Sequence, residues 1–375
     1  MAKFKNQHFI PQFHLRNFAH IGGKSVSIYL KNNNKIIQSA SISDQASKDY
    51  FYSKNNAEEV ELFFKGIEDV TKLLFKTITD KRFVWFPELD FYLKMYIQLL
   101  KDRTLKSANK ISDSMVELLF KKMEVEASVL GKKDIQEILE NVSPDDLKFT
   151  NTVNLAIEMG LENLDLLVDL RLLIIENETK IPFFISDNPT VLYNRFYEDN
   201  AKLTAGFGLT CAGLQIFLPV NPRYTIMLFD YSTYNYKGMQ YVKKVYDKDV
   251  IRKLNLCQYL NSESCLYFSD TLLQLKDFEY YKKEAEEYKI DNYKNKIGIP
   301  SLMFFGQEGQ QVDLRFSFLT YSKIAKNQKF PSHMACLTRR PLYDLMSHKG
   351  LKIIKYSKLD KDVKRITKQF KNDID

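Results

Sequence analysis

Leu166-Leu167-Val168-Asp169-Leu170-Arg171-Leu172-Leu173-Ile174-Ile175 is nearly continuous in Leu, Val and Ile, and it marks the point where the chain changes character. With the short apolar runs Phe183-Phe184-Ile185, Leu214 to Leu218 and Tyr224 to Phe229, it reads as strands of a sheet buried on at least one face. Asn177-Glu178-Thr179-Lys180 supplies the turn expected to join the first two. Upstream the apolar residues recur at helical spacing instead. Val60, Phe63, Phe64, Ile67, Val70, Leu74 and Ile78 keep to one stripe, which predicts a helix over 57–79. Further helices are expected over 88–107 behind Pro87, over 112–130 and 134–141, from Ser143-Pro144-Asp145-Asp146, and through 155–159 to Gly160. Nearer the start, Ser25 to Leu30 alternates as a strand, Asn32-Asn33-Asn34 turns, and Lys35 to Gln38 returns. Downstream, a helix is expected over 247–260. Alternating βαβ units are not visible. The expected fold is α+β: an N-terminal hairpin and helical layer, then a mostly antiparallel sheet packed with helices.

At 375 residues, with 45% hydrophobic and 27% charged residues, the chain can bury a sizeable core and is not of disordered composition. Met1-Ala2-Lys3-Phe4-Lys5 lacks the apolar core of a signal peptide, and no stretch approaches the ~20 apolar residues of a membrane span, so a cytoplasmic protein without membrane contact is expected. Cys211, Cys257, Cys265 and Cys336 form no C-x-x-C pair, which points to buried free thiols rather than a zinc ribbon or redox motif. The net charge of +8 comes from 44 Lys and only 11 Arg, weak support for a polyanionic partner. Lys349 to Lys371 holds nine basic and two acidic residues, with Leu359, Val363, Ile366 and Phe370 on one helical face. This basic amphipathic terminus is expected to dock on the body or to contact nucleic acid.

The N-terminal stretch Asn6-Gln7-His8-Phe9-Ile10-Pro11-Gln12-Phe13-His14-Leu15-Arg16-Asn17-Phe18 carries the densest polar chemistry. Pro11 suits the first position of a helix running to about Ala19. His8 then precedes a helix N-terminus, where the helix dipole favours the neutral imidazole needed by a metal ligand or general base. Gln12 and Arg16 are four apart and share a helical face. His14 and His20 flank the same helix as weaker candidates.

The stretch resembles the His-x-x-Pro signature of the prokaryotic domain-of-unknown-function family 4238. Lys101-Asp102-Arg103-Thr104, Phe184-Ile185-Ser186-Asp187-Asn188-Pro189 and Leu218-Pro219-Val220-Asn221-Pro222 fit the same resemblance, which covers roughly residues 6 to 270. It implies common ancestry and no particular activity. The division expected from it is a family-like α+β domain over 1–270 and a C-terminal extension over 271–375.

Other polar residues stand at constrained places. Glu61 and Glu68, seven apart, border the apolar stripe of their helix, each followed four residues later by a lysine. They are either two solvated ion pairs or carboxylates presented to a metal or a substrate proton. Arg103 continues the line Tyr92, Tyr96, Leu99 where a leucine is expected, so its guanidinium must find a carboxylate, phosphate or carbonyls. Asp187 and Asn188 end a buried strand, as turn residues or as a rigid catalytic carboxylate with its neighbour. Arg223 ends another strand and would meet Asp187 if the two strands were neighbours.

The leading expectation is a metal-dependent phosphodiesterase or nuclease of toxin or phage-defence type. His8, Asp187, Glu61 and Glu68 would be the catalytic groups, and His8, Glu61 and Asp187 would hold Mg or Mn. Gln12, Arg16, Arg103, Asn188 and Arg223 would bind substrate. A metal-independent ribonuclease-like enzyme with His8 as acid or base is the alternative, and a non-enzymatic interaction protein with a structural His/Arg/Asp network is the competing class.

Overall fold

The computed structural model describes residues 5–52, 57–200, 208–238, 240–269, 273–288, 312–327 and 339. In chain order, strand β1 (Asn6–His8), helix α1 (Gln12–Arg16), strands β2 (Ser25–Leu30) and β3 (Lys35–Ser41), and β4 (Ser47–Asp49) come first. A helical layer follows: α2 (Ala57–Thr79), α3 (Pro87–Asp102), α4 (Leu105–Leu130), α5 (Lys133–Asn141) and α6 (Thr152–Glu162). Then come β5 (Arg171–Asn177), β6 (Ile185–Ser186), β7 (Val191–Tyr193), α7 (Arg195–Asn200), β8 (Gln215–Pro219), β9 (Tyr224–Phe229), β10 (Tyr234–Tyr236) and β11 (Val242–Val245). The described elements end with α8 (Lys248–Asn261), β12 (Cys265–Phe268), α9 (Leu275–Glu287), β13 (Leu319–Tyr321) and α10 (Lys323–Asn327). Among the described residues no helix is long and apolar enough to cross a membrane.

The fold is α+β. The larger sheet has the order β11-β5-β9-β8-β7, antiparallel except for the parallel β11/β5 pair; a second runs β3-β2-β12-β6, antiparallel throughout, and β1/β4 and β10/β13 form two-stranded antiparallel sheets. β5, β8 and β9 are almost wholly buried, as their unbroken apolar runs require. The 177–180 turn does not join β5 to the next apolar run: β5 pairs with β9 and β11, whereas β6 lies in the other sheet beside β12. A short 3-10 turn over Leu164–Leu167 precedes β5, so the strand occupies only the second half of its Leu-rich run. α6 continues through Gly160 to Glu162, and Ser143-Pro144-Asp145-Asp146 closes a capped 3-10 turn rather than starting a longer helix. The basic terminal segment lies outside the described residues.

α1 is shorter than expected. Pro11 takes extended backbone (φ −58°, ψ 139°) and serves as the N-cap, and the helix covers only Gln12–Arg16. What anchors it is His14. The imidazole is fully buried; its Nε2–H donates to the Pro219 carbonyl at 2.7 Å, and the Tyr96 hydroxyl donates to Nδ1 at 2.9 Å. A carbonyl only accepts, so these partners select the tautomer protonated on Nε2. One side chain thereby ties the N-terminal segment to α3 and to the end of β8. Burial pushes the His14 pKa down to about 4, against the Pro219 carbonyl and with help from the Arg103 charge.

An unfolded imidazole takes up a proton near pH 6.5, whereas this one stays neutral to about pH 4. The unfolded state therefore binds more protons in that window, and stability falls as pH drops through it, by about 3 kcal/mol. Urea denaturation across pH 4 to 7 checks this: His14→Gln is expected to be less stable at neutral pH and to lose less on acidification than wild type.

Candidate functional site

The expected 88–107 helix is interrupted. α3 stops at Asp102, Arg103 forms its C-cap, and Thr104 caps α4 by accepting from Ser107 N–H at 3.2 Å. The break turns successive side chains in different directions. Thr104 Oγ1 donates to Asn188 Oδ1 at 3.1 Å, while Arg103 reaches α2, where Nη1 donates to Glu68 Oε1 at 2.9 Å and the guanidinium lies 5.0 Å from the centre of the Phe64 ring.

Arg103 is 1% exposed. Its Nε and Nη2 meet no hydrogen-bond acceptor among the described residues, so Glu68 is the direct countercharge. Burial works against the guanidinium, but the Glu68 carboxylate and the Tyr52 and Tyr96 hydroxyls outweigh it and raise the pKa. The residue stays charged in the core. Burial raises the Glu68 pKa despite Arg103, and burial together with Glu68 raises that of half-buried Glu61.

His8 sits on the outer side of this pair, half-buried. Its Nε2 is 3.1 Å from the Ser43 carbonyl and 3.3 Å from Gln12 Nε2, while Gln12 Oε1 accepts from Arg16 Nη2 at 2.7 Å. Nε2 thus faces a carbonyl, which can only accept, and an amide N–H, which can only donate, so its protonation state satisfies one of the two at a time. Tyr52 holds the backbone here: its hydroxyl donates to the His8 carbonyl at 2.8 Å, and its N–H donates to Gln7 Oε1 at 2.6 Å. Burial lowers the His8 pKa, and Arg103 and Arg16 push in the same direction, so the imidazole is neutral at pH 7.

Of the residues singled out from the sequence, His8, Gln12, Arg16, Glu61, Glu68 and Arg103 thus share one electrostatic neighbourhood. Asp187 does not join it. Its carboxylate accepts from the N–H groups of Glu263 (2.9 Å), Ser264 (2.7 Å) and Cys265 (3.1 Å) and from Ser264 Oγ (2.8 Å), pinning the turn between α8 and β12. Asn188 lies beyond Thr104 and lines a cleft on the other side of the α3 end. Arg223 is exposed and pairs with Glu176 (3.0 Å) and Glu178 (2.7 Å), so it and Asp187 belong to different sheets and do not meet. Among the described residues no three His, Cys, Asp or Glu side chains cluster to hold a metal, and the expected Mg or Mn ligands His8, Glu61 and Asp187 are not gathered into one site.

Sequence reasoning passed over Tyr52 and Tyr96, which look like core aromatics, and ranked His14 below His8. The available signal was Arg103 itself, which continues the apolar line Tyr92, Tyr96, Leu99 and so needs a partner; nothing comparable marked His14.

A family model described as a protein of unknown function, DUF4238, matches residues 6–271. The chain belongs to the DUF4238 family. No curated protein and no solved structure matches it. In this DUF4238 chain the matched region takes in every residue placed above in the His8 and Arg103 neighbourhood.

Breaking the Arg103–Glu68 pair from either side leaves an uncompensated buried charge. Glu68→Gln and Arg103→Met are each expected to cost about 3–5 kcal/mol, and the Glu68→Met/Arg103→Met double variant less than their sum. Equilibrium unfolding of the three variants measures the coupling.

Proposed function

We propose that this chain is a metal-independent phosphodiesterase acting on RNA, with the His8 neighbourhood as its active site. The observation that carries the reading is a neutral, half-buried imidazole whose Nε2 meets the Ser43 carbonyl and the Gln12 amide, with an exposed guanidinium, Arg16, linked to it through Gln12 and a half-buried carboxyl, Glu61, that feels the same Arg103 charge. A neutral imidazole, a carboxyl group and a guanidinium are the kinds of group that cleavage by an internal hydroxyl uses. A metal-free route is favoured because the carboxylates a metal would need are committed: Glu68 to Arg103, and Asp187 to four donors of the 263–265 turn.

In this reading the His8 imidazole takes the proton of a ribose 2′-hydroxyl, and the 2′-oxygen attacks phosphorus. The bond from phosphorus to the 5′-oxygen breaks, Glu61 gives that oxygen its proton, and a 2′,3′-cyclic phosphate remains. Arg16 neutralises the charge gathering on the non-bridging oxygens. Arg103 is a positioning residue: it fixes Glu68, whose negative charge, after burial, raises the Glu61 pKa.

Cleavage of a single-stranded RNA oligonucleotide by the full chain in excess EDTA tests this. Activity is expected to survive the chelator, to be absent on the matching DNA, and to drop about 10²–10⁴-fold in His8→Ala with the fold retained. The rate should fall at low pH as His8, its pKa lowered by burial, takes up a proton. Loss of activity in EDTA, or an unimpaired His8→Ala, would contradict the reading.

A further inference from the structure

The other side of the α3 C-terminus opens on a cleft of about 1010 Å³, at the upper end of the size range of small-molecule sites. The ends of α3 and α4 together with α6 form one wall; the 259–263 segment and α9 form the other.

Asp102 and Gln98 make the polar part of the first wall. Gln98 Nε2 donates to Asp102 Oδ2 at 2.6 Å, and the Lys101 ammonium pairs with the same carboxylate. An ionised Asp102 fixes the amide orientation, since a reversed amide would set two acceptors against each other. Gln98 is 2% exposed, and its Oε1 meets no donor among the described residues. Space for this arrangement is kept by Gly160, where a Cβ would collide with the Asp102 carboxylate. The site therefore offers one buried acceptor that asks for a hydrogen-bond donor.

Positive charge gathers at the 259–262 stretch of the opposite wall, from Lys31 and from Lys106, which reaches across from the start of α4. Lys31 Nζ donates to the carbonyls of Tyr259 (2.9 Å) and Ser262 (2.8 Å), and Lys106 Nζ donates to that of Asn261 (3.1 Å), so two ammonium groups converge on one short stretch of chain. Their proximity, after burial, lowers the Lys31 pKa to about 8. Tyr259 and Tyr288 add aromatic surface to the same wall. Across the whole cleft five lysines face five carboxylates, a balance that disfavours a polyanion such as a nucleic acid strand and suits a small ligand with one anionic end.

We infer that this cleft binds a nucleoside monophosphate with an exocyclic amino group on its base, the amine donating to Gln98 Oε1, the base lying against the tyrosines and the phosphate meeting Lys31 and Lys106. This is a second site, independent of the His8 chemistry, and nothing in the inference requires that chemistry.

Calorimetric titration of the full chain with AMP, IMP and adenosine tests it. IMP replaces the amine of AMP by an oxygen. AMP is expected to bind about tenfold or more tightly than IMP, because a buried acceptor rejects a ligand without the donor. Gln98→Leu should erase that preference, and Lys106→Gln, a change at the partly exposed rim, should weaken AMP while leaving adenosine unchanged; circular dichroism confirms that both fold. No heat from AMP at about 5 mM ligand, equal affinity for AMP and IMP in wild type, or an effect of Lys106→Gln equal on AMP and adenosine would each overturn the inference.

Discussion

A guanidinium with almost no solvent exposure is tolerable only because Glu68 stands 2.9 Å away, and much of the N-terminal architecture follows from keeping that pair together. Arg103 sits at the junction of two helices, so the ion pair holds α2 against the junction. The same break frees Thr104 to cap α4 and to bond Asn188, which carries the constraint into the segment that follows β6. Polar contacts, not only apolar packing, thus set the relation between the helical layer and the sheets.

Two histidines of the same N-terminal stretch show how environment divides roles. His14 is sealed between Tyr96 and Pro219 and serves as a neutral bolt; His8, on the other side of Pro11, is bonded through Nε2 and half-buried. Both are driven towards the neutral form chiefly by burial. The difference is access: one has both nitrogens consumed inside the core, and the other is only half-buried.

Much of this was legible in the sequence where period and composition decide the outcome. The apolar stripe of α2, the β2 and β3 hairpin, and the buried strands β8 and β9 follow directly from spacing. Arg103 stood out because a charge in an apolar stripe needs a partner, and the partner proved to be one of the two glutamates noted on α2. What escaped depends on distant pairing. β5 chooses β9 over its sequence neighbour, because antiparallel register with another fully buried strand buries more than a short hairpin would, and its other edge takes β11 in parallel. Asp187 reads equally well as catalytic or as a turn residue until the 263–265 amides that surround it are located. The cleft is invisible in sequence for the same reason: Gln98, Gly160, Lys31 and the 259–262 carbonyls come from four separate regions of the chain.

The most direct test of this account is the solvent exchange of the Arg103 Nε–H, followed by nuclear magnetic resonance beside that of exposed Arg16. A dry, charged Arg103 fixed by Glu68 predicts a proton that persists far longer than that of Arg16, and that exchanges faster in Glu68→Gln. Equal, rapid exchange at both arginines would place the guanidinium in water and contradict the buried pair on which the arrangement rests.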